Sequence, residues 1–154
     1  MVNTRLSLSP AILCAAAGLM ICSCSGTRPA NLGVTNGLLA PCPSTPNCVS
    51  TQSRDPEHAI AALHYASSPA EAMAKLKQIV LAMPRTLIVT DTPTYLHAEF
   101  TSAVMRFVDD VEFSLDEPAR SIQMRSASRL GKSDLGVNRK RVEEIRSKWI
   151  AAGQ

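Results

Sequence analysis

Polar and apolar positions divide the chain into segments of different period. Ala11 to Ile21 is an unbroken apolar run, well short of the roughly 20 residues that span a bilayer. Residues 25–40 (SGTRPANLGVTNGLLA) are small and polar, carry no period and read as a tether. A Pro-rich stretch and hydrophilic Val49 to Glu57 follow, and His58 to Tyr65 is expected as a short first strand. Ser68-Pro69-Ala70-Glu71 predicts a helix start: Ser68 caps, Pro69 suits the first helical position and Glu71 closes a capping box. Met73, Leu76, Ile79, Val80 and Met83 then recur at helical spacing as a core stripe, and Pro84 ends the helix.

Beyond Pro84 the period becomes two. Thr86 to Thr92 is rich in β-branched residues and reads as a strand, closed by the turn signal Asp91-Thr92-Pro93-Thr94. In the next strand, Tyr95 to Val104, Leu96, Ala98 and Phe100 share one face, while Tyr95, His97 and Glu99 share the other. Phe107, Asp109, Val111, Phe113 and Leu115 alternate in the opposite parity, so a turn or bulge is expected near Met105–Arg106. Asp116-Glu117-Pro118 is a turn, and Arg120 to Ala127 a further strand. A polar loop over residues 128–137 leads to Asn138, the expected cap of a last helix with Val142, Ile145 and Trp149 as its apolar stripe. The order β-α-β-β-β-β-α with short turns predicts an α+β fold. It is an antiparallel sheet of about five strands with two helices packed on one face.

The start of the chain changes the picture from fold to compartment. Arg5, the apolar run and small Ser23 before Cys24 make the three parts of an export leader. Cys24 is the expected lipid-carrying first residue of the mature protein, preferred over Cys22, which follows bulky Met20 and Ile21. An ordinary secretory leader cleaved nearby is the alternative. Ser25, not Asp, follows Cys24, which resembles lipoproteins sent on to the outer membrane. The expected organisation is a signal peptide over 1–23, a lipid anchor and flexible tether over 24–40, and one α+β domain over 41–154. The expected location is the cell envelope, lipid-anchored at the outer membrane and facing the periplasm.

Cysteine usage agrees with export. Cys14 and Cys22 leave with the leader and Cys24 takes lipid, so Cys42 and Cys48 remain as a pair. An even pair in an exported chain favours a disulfide, which in so short a loop stabilises by about 2–2.5 kcal/mol. A metal site is the weaker reading, because no His or third Cys lies at ligand spacing. A redox pair more often has two residues between its cysteines.

Charge narrows the partners. The 16 Lys and Arg against 13 Asp and Glu leave a small net positive balance, which makes no case for nucleic acid. The distribution is uneven. Residues 86–119 carry seven acids and one base, Arg106, whereas 120–154 carry nine bases and three acids. The simplest expectation is that the two halves pair within the fold.

Several motifs together carry a family resemblance. They are Pro41-Cys42-Pro43-Ser44-Thr45-Pro46-Asn47-Cys48-Val49-Ser50, Glu99-Phe100, Arg106-Phe107-Val108-Asp109-Asp110-Val111-Glu112-Phe113, Arg125-Ser126-Ala127-Ser128-Arg129, and Gly131 with Ser133-Asp134-Leu135-Gly136-Val137-Asn138-Arg139 and Arg141-Val142. From about Leu39 to Arg146 the chain resembles an uncharacterised family, domain of unknown function 1499. Thr45 stands where Ser is more usual, and His58 to Leu63 is a loose version of the family's first strand. The resemblance implies a small α+β domain, often in exported or membrane-linked proteins, and implies no established activity.

Three constellations carry candidate chemistry. Arg125, Ser126, Ser128, Arg129, Asp134, Asn138 and Arg139 surround a Gly-containing loop before a helix start, an arrangement that suits a phosphate or carboxylate. The same arginines suit Asp109, Asp110, Glu112 and Asp134 of the domain itself. The loop lacks the G-x-x-x-x-G-K-[ST] order of a phosphate-binding P-loop. Asp110 and Glu112 share a strand face, while Asp109 points into the apolar layer and calls for an arginine. His97 and Glu99 also share a face and form an acid–base pair on paper, with Ser126 or Ser128 as nucleophile, but no G-x-S-x-G elbow is present. The leading expectation is a non-enzymatic envelope lipoprotein, held to the membrane through Cys24 and binding an anionic or lipid-like ligand or an envelope protein, with no cofactor or metal. The alternatives are a hydrolase or transferase acting on envelope material through His97, Glu99 and Asp110, and a structural or assembly factor.

Overall fold

The computed structural model describes residues 25–153. The expected leader over 1–23 and the anchor Cys24 lie outside the described residues. The elements in chain order are β1 (Cys48–Ser50), β2 (Leu63–His64), α1 (Pro69–Leu81), β3 (Thr86–Asp91), β4 (Tyr95–Thr101), β5 (Val108–Asp116), β6 (Ser121–Ser128) and α2 (Val137–Ala151). All strand pairs are antiparallel, in the order β1-β6-β5-β4-β3, and β2 continues the β1 edge by pairing with the start of β6. The α+β class, the antiparallel sheet and the β-α-β-β-β-β-α order are as the sequence predicts.

The departures are local. The expected first strand over 58–65 is reduced to Leu63–His64, and the hydrophilic stretch before it supplies β1 instead. β1 satisfies its backbone on β6, with Cys48, Val49 and Ser50 opposite Ala127, Ser126 and Arg125. Arg106 takes a left-handed φ of 59° in the turn where the alternation reverses. Asn138 does not cap α2. The N-cap is Gly136 at φ 79°, and Asp134 accepts from the backbone N–H of Gly136 at 3.0 Å and of Asn138 at 2.7 Å. A carboxylate there also opposes the positive end of the helix dipole.

α1 begins with the expected box: Glu71 N–H donates to Ser68 Oγ, and Ser68 N–H donates to the Glu71 carboxylate. Its buried stripe of Ala72, Met73, Leu76, Ile79 and Val80 joins Val142, Ile145 and Trp149 of α2 over one face of the sheet. That face contributes Leu96, Ala98, Phe100, Val111, Phe113, Ile122 and Met124. Trp149 Nε1 donates to the His64 carbonyl at 2.9 Å, tying the end of α2 to β2.

The second face of the sheet is covered too. Residues 25–40, expected as a free tether, run across it. Arg28 reaches Glu99, Gly33 N–H reaches Glu112 and Leu39 is buried. Thr35 and Leu38 close a tight turn through two backbone bonds, after which Leu39 N–H donates to Gln52 Oε1. The strap then enters the disulfide between Cys42 and Cys48 at the start of β1.

Candidate functional site

Strand alternation sends the odd-numbered side chains of β4 and the even-numbered side chains of β5 to the strap side of the sheet. Register then brings them together: Glu99 lies opposite Asp110 and His97 opposite Glu112 on neighbouring strands, and Glu112 lies opposite Arg125 of β6. Under the strap these side chains form one ion network. Arg129 grips Asp110 with two prongs, Nε to Oδ2 at 2.8 Å and Nη2 to Oδ1 at 2.7 Å, and also donates to Glu99 Oε1 at 2.5 Å. His97 Nε2 donates to Asp110 Oδ1 at 2.8 Å. Glu112 accepts from Gly33 N–H at 2.7 Å, from the Tyr95 hydroxyl at 2.8 Å and from Arg125 Nη1 at 3.1 Å. Arg28, from the strap, gives Glu99 a second guanidinium.

Burial makes this matching necessary. Glu112 is 0 % exposed, Asp110 1 % and His97 2 %, and a charge removed from water is costly unless paired and hydrogen-bonded. The carboxylates of Glu99, Asp110 and Glu112 face the guanidiniums of Arg28, Arg125 and Arg129. Burial pushes Asp110 and Glu99 up, but the hydrogen bonds from Arg129, with His97 at Asp110 and Arg28 at Glu99, outweigh it and hold both below the usual carboxylate range. Burial, followed by the Glu112 carboxylate, raises Tyr95 well above its ordinary value. The Asp110 carboxylate raises Arg129 and keeps it protonated.

The other sequence-predicted residues lie on the helix side. Ser126 Oγ donates to Asn138 Oδ1, and Arg141 donates to both oxygens and to Asp109 Oδ2 at 2.6 Å. Asn138 Nδ2 donates to the Asn47 carbonyl, Ser128 Oγ and Asp134 Oδ2. Arg139 turns away and donates to the carbonyls of Glu57 and Ala59. The residues expected to ring one anion pocket are therefore split between two sides of the sheet, and each is engaged by groups of the domain. His97 and Glu99, expected to share a strand face, do so and are covered by the strap. Arg141, one of the cations around the Gly-containing loop, is the arginine that meets Asp109. Its signal was Asp109 on the apolar face of β5, which required a cation from the helix above it.

Several clefts remain open, and two of them adjoin the strap and the disulfide loop. One, of about 610 Å³, lies at the end of the sheet where the strap turns, between Val34, Tyr95, Ser114, Asp116, Glu117 and Gln123. The other, of about 530 Å³, lies beside the disulfide loop, with Ser50, Gln52, Arg54 and His58 in its wall. His58 Nδ1 donates to the Cys48 carbonyl at 2.8 Å and is buried. Among the described residues, no three His, Cys, Asp or Glu side chains converge as a metal-holding group.

The sequence profile of the family described as protein of unknown function (DUF1499) matches residues 38–149. No curated protein and no solved structure matches the chain. The chain belongs to the DUF1499 family. The matched segment contains β1 through most of α2, and with them Glu99, Asp110, Glu112, Arg125 and Arg129. Arg28 and Gly33, which close the network from the strap, precede it.

Proposed function

We propose that this protein is a lipid-anchored, non-enzymatic module of the cell envelope, attached through Cys24, whose domain binds its ligand in the cleft at the strap turn. The observation that carries the non-enzymatic reading is the engagement of His97, Glu99 and Asp110 in one buried, matched network. A general base must reach its substrate's proton, and His97 spends its Nε2 on Asp110 beneath the strap. The hydrolase or transferase alternative has no support from that site.

The cleft chemistry narrows the ligand. Its wall offers Thr92, Thr94, Ser114 and Gln123 as hydrogen-bonding groups, Asp116 and Glu117 as carboxylates, and Val34, Leu115 and Pro118 as apolar surface. Among the described residues, no Lys or Arg lines it. Such a wall favours a hydroxyl- or amine-bearing amphiphile over the anion expected from the arginine motifs. Native mass spectrometry of the chain extracted gently from membranes tests both halves. The account expects acyl mass on Cys24 and a second, non-covalent mass that is released on denaturation and lost in Thr94→Trp. Protein without the non-covalent mass overturns the small-molecule reading and favours an assembly role. An unmodified Cys24 overturns the anchor.

A further inference from the structure

The register places the start of β3, the end of β4, the start of β5 and the end of β6 at one end of the sheet, opposite the cleft: Thr86 pairs with Phe100, Phe100 with Asp109, and Asp109 with Ser128. The turn between β4 and β5 and the loop between β6 and α2 both project from this end. They carry Val104, Met105, Phe107, Leu130 and Leu135, and Val137 follows as the first residue of α2; all are exposed, with Leu135 94 % and Val104 85 % open to solvent. So concentrated an apolar surface marks an interaction site, whereas single exposed side chains need no explanation.

The exposed charges around it are mostly basic, with Glu144 beside Arg85 and Lys140 as an exception. Arg85, Arg106, Lys132 and Lys140 are exposed on the segments that bracket the apolar residues. Of the carboxylates nearby, Asp109 is bound by Arg141 and Asp134 caps α2. The chain also enters the domain here. A Cβ on Gly26 would come within 3.0 Å of the Arg129 and Leu130 side chains, so the strap starts beside Leu130, two residues after Cys24.

We propose that this end of the domain rests on an anionic bilayer surface. The apolar side chains of the two loops enter the headgroup boundary, and the four cations lie at the level of the lipid phosphates. Amphipathic surfaces bind in this way by combining buried apolar area with attraction to anionic lipid. The inference deepens the lipid-anchored reading and rests on it for orientation. An acyl chain on Cys24 would enter the membrane beside Leu130, leaving the acidic cleft at the far end facing away from the bilayer.

Trp149 is the chain's one tryptophan and is buried, so added tryptophans report position over a constant background. The full mature chain carrying Leu135→Trp or Ile150→Trp is mixed with vesicles of phosphatidylethanolamine and phosphatidylglycerol containing brominated acyl chains. Ile150 is equally suited as a site, being exposed at the opposite end of α2. The proposal expects quenching of Leu135→Trp above the parent background and none for Ile150→Trp. Replacing phosphatidylglycerol with phosphatidylcholine, or adding Arg106→Glu with Lys132→Glu, should reduce that quenching roughly threefold or more. Absent quenching of Leu135→Trp, equal quenching at both positions, or indifference to the charge changes overturns it. So does concentration-dependent shielding of Leu135→Trp without vesicles, which would mean that a second copy covers this end. Acylation of Cys24 is read separately by mass. Lost quenching in an acylated chain refutes the docking surface alone, whereas quenching of a chain without acyl groups keeps the surface and refutes the anchor.

Discussion

Glu112 and Phe113 are neighbours on β5, both wholly buried, and they point to opposite faces of the sheet. Phe113 is held by exclusion of water, which needs only apolar neighbours and is indifferent to direction. Glu112 is held by an arginine, a tyrosine hydroxyl and a backbone N–H, each in a set geometry. The apolar layer is therefore assembled from residue types, whereas the strap face, like the Asp109–Arg141 corner of the helix face, is assembled from particular partners. The lesson concerns function as much as folding. A histidine beside a carboxylate and an arginine has the composition of an active site, yet burial alone demands the same set, since each charge taken from water requires its match.

The comparison is sharpest in that neighbouring pair. Phe113→Ala is expected to cost about 3–5 kcal/mol through lost burial and a residual cavity. Glu112→Ala is expected to cost a similar amount, about 3–5 kcal/mol, by leaving Arg125 buried without its carboxylate. Rescue separates the two. Glu112→Leu combined with Arg125→Leu should recover much of the loss, because an apolar pair can replace a buried ion pair. Urea unfolding of the single and double variants gives the comparison, and a double variant no better than Glu112→Leu alone would break it.

Acid should weaken the network under the strap. Asp110 and Glu99 are held below their ordinary range, so the folded state keeps them ionised to lower pH than the unfolded chain does. Their contribution is complete above the ordinary carboxylate range and is lost as pH falls through the lowered folded values, a window beginning near about pH 4. Unfolding free energy measured against pH should fall there, and Asp110→Asn should flatten the slope while Phe113→Ala leaves it unchanged.

Smaller effects are expected where the strap is fastened. Reducing Cys42–Cys48 should cost about 2 kcal/mol, the chain-entropy value for so short a loop, read as a shift in the urea midpoint with and without reductant. Arg28 is about half exposed at the edge of the network, so Arg28→Ala should cost about 0–1 kcal/mol. That loss should shrink further in high salt.

Local signals were legible in the sequence and non-local ones were not. The capping box of α1 is contained in four consecutive residues, and the β4 and β5 alternation needs only the strand period, so both appear where the sequence places them. β1 is three residues long and exists because β6, some 75 residues later, offers it an edge. No local pattern announces that. The strap is similar: Gly33 contributes a backbone N–H, which leaves no trace in residue type. Asn138 had the right chemistry for a cap, but Gly136 ends the loop earlier and hands that role to Asp134. The arginine motifs misled by proximity. Arg125 and Ser126 are adjacent in sequence and face opposite sides of the sheet, so a cluster on paper becomes two clusters in space.

Arg129 is the residue on which a structural and a ligand-binding reading of the charged face differ most. It holds Asp110 with two bonds and Glu99 with a third, and its side chain is almost fully covered. The direct measurement is urea unfolding of Arg129→Ala against the parent chain. A structural network predicts a loss of about 3–5 kcal/mol, the cost of stranding a buried carboxylate. Stability within about 0.5 kcal/mol of the parent, the range of an ordinary surface change, would contradict the account and return Arg129 to the ligand.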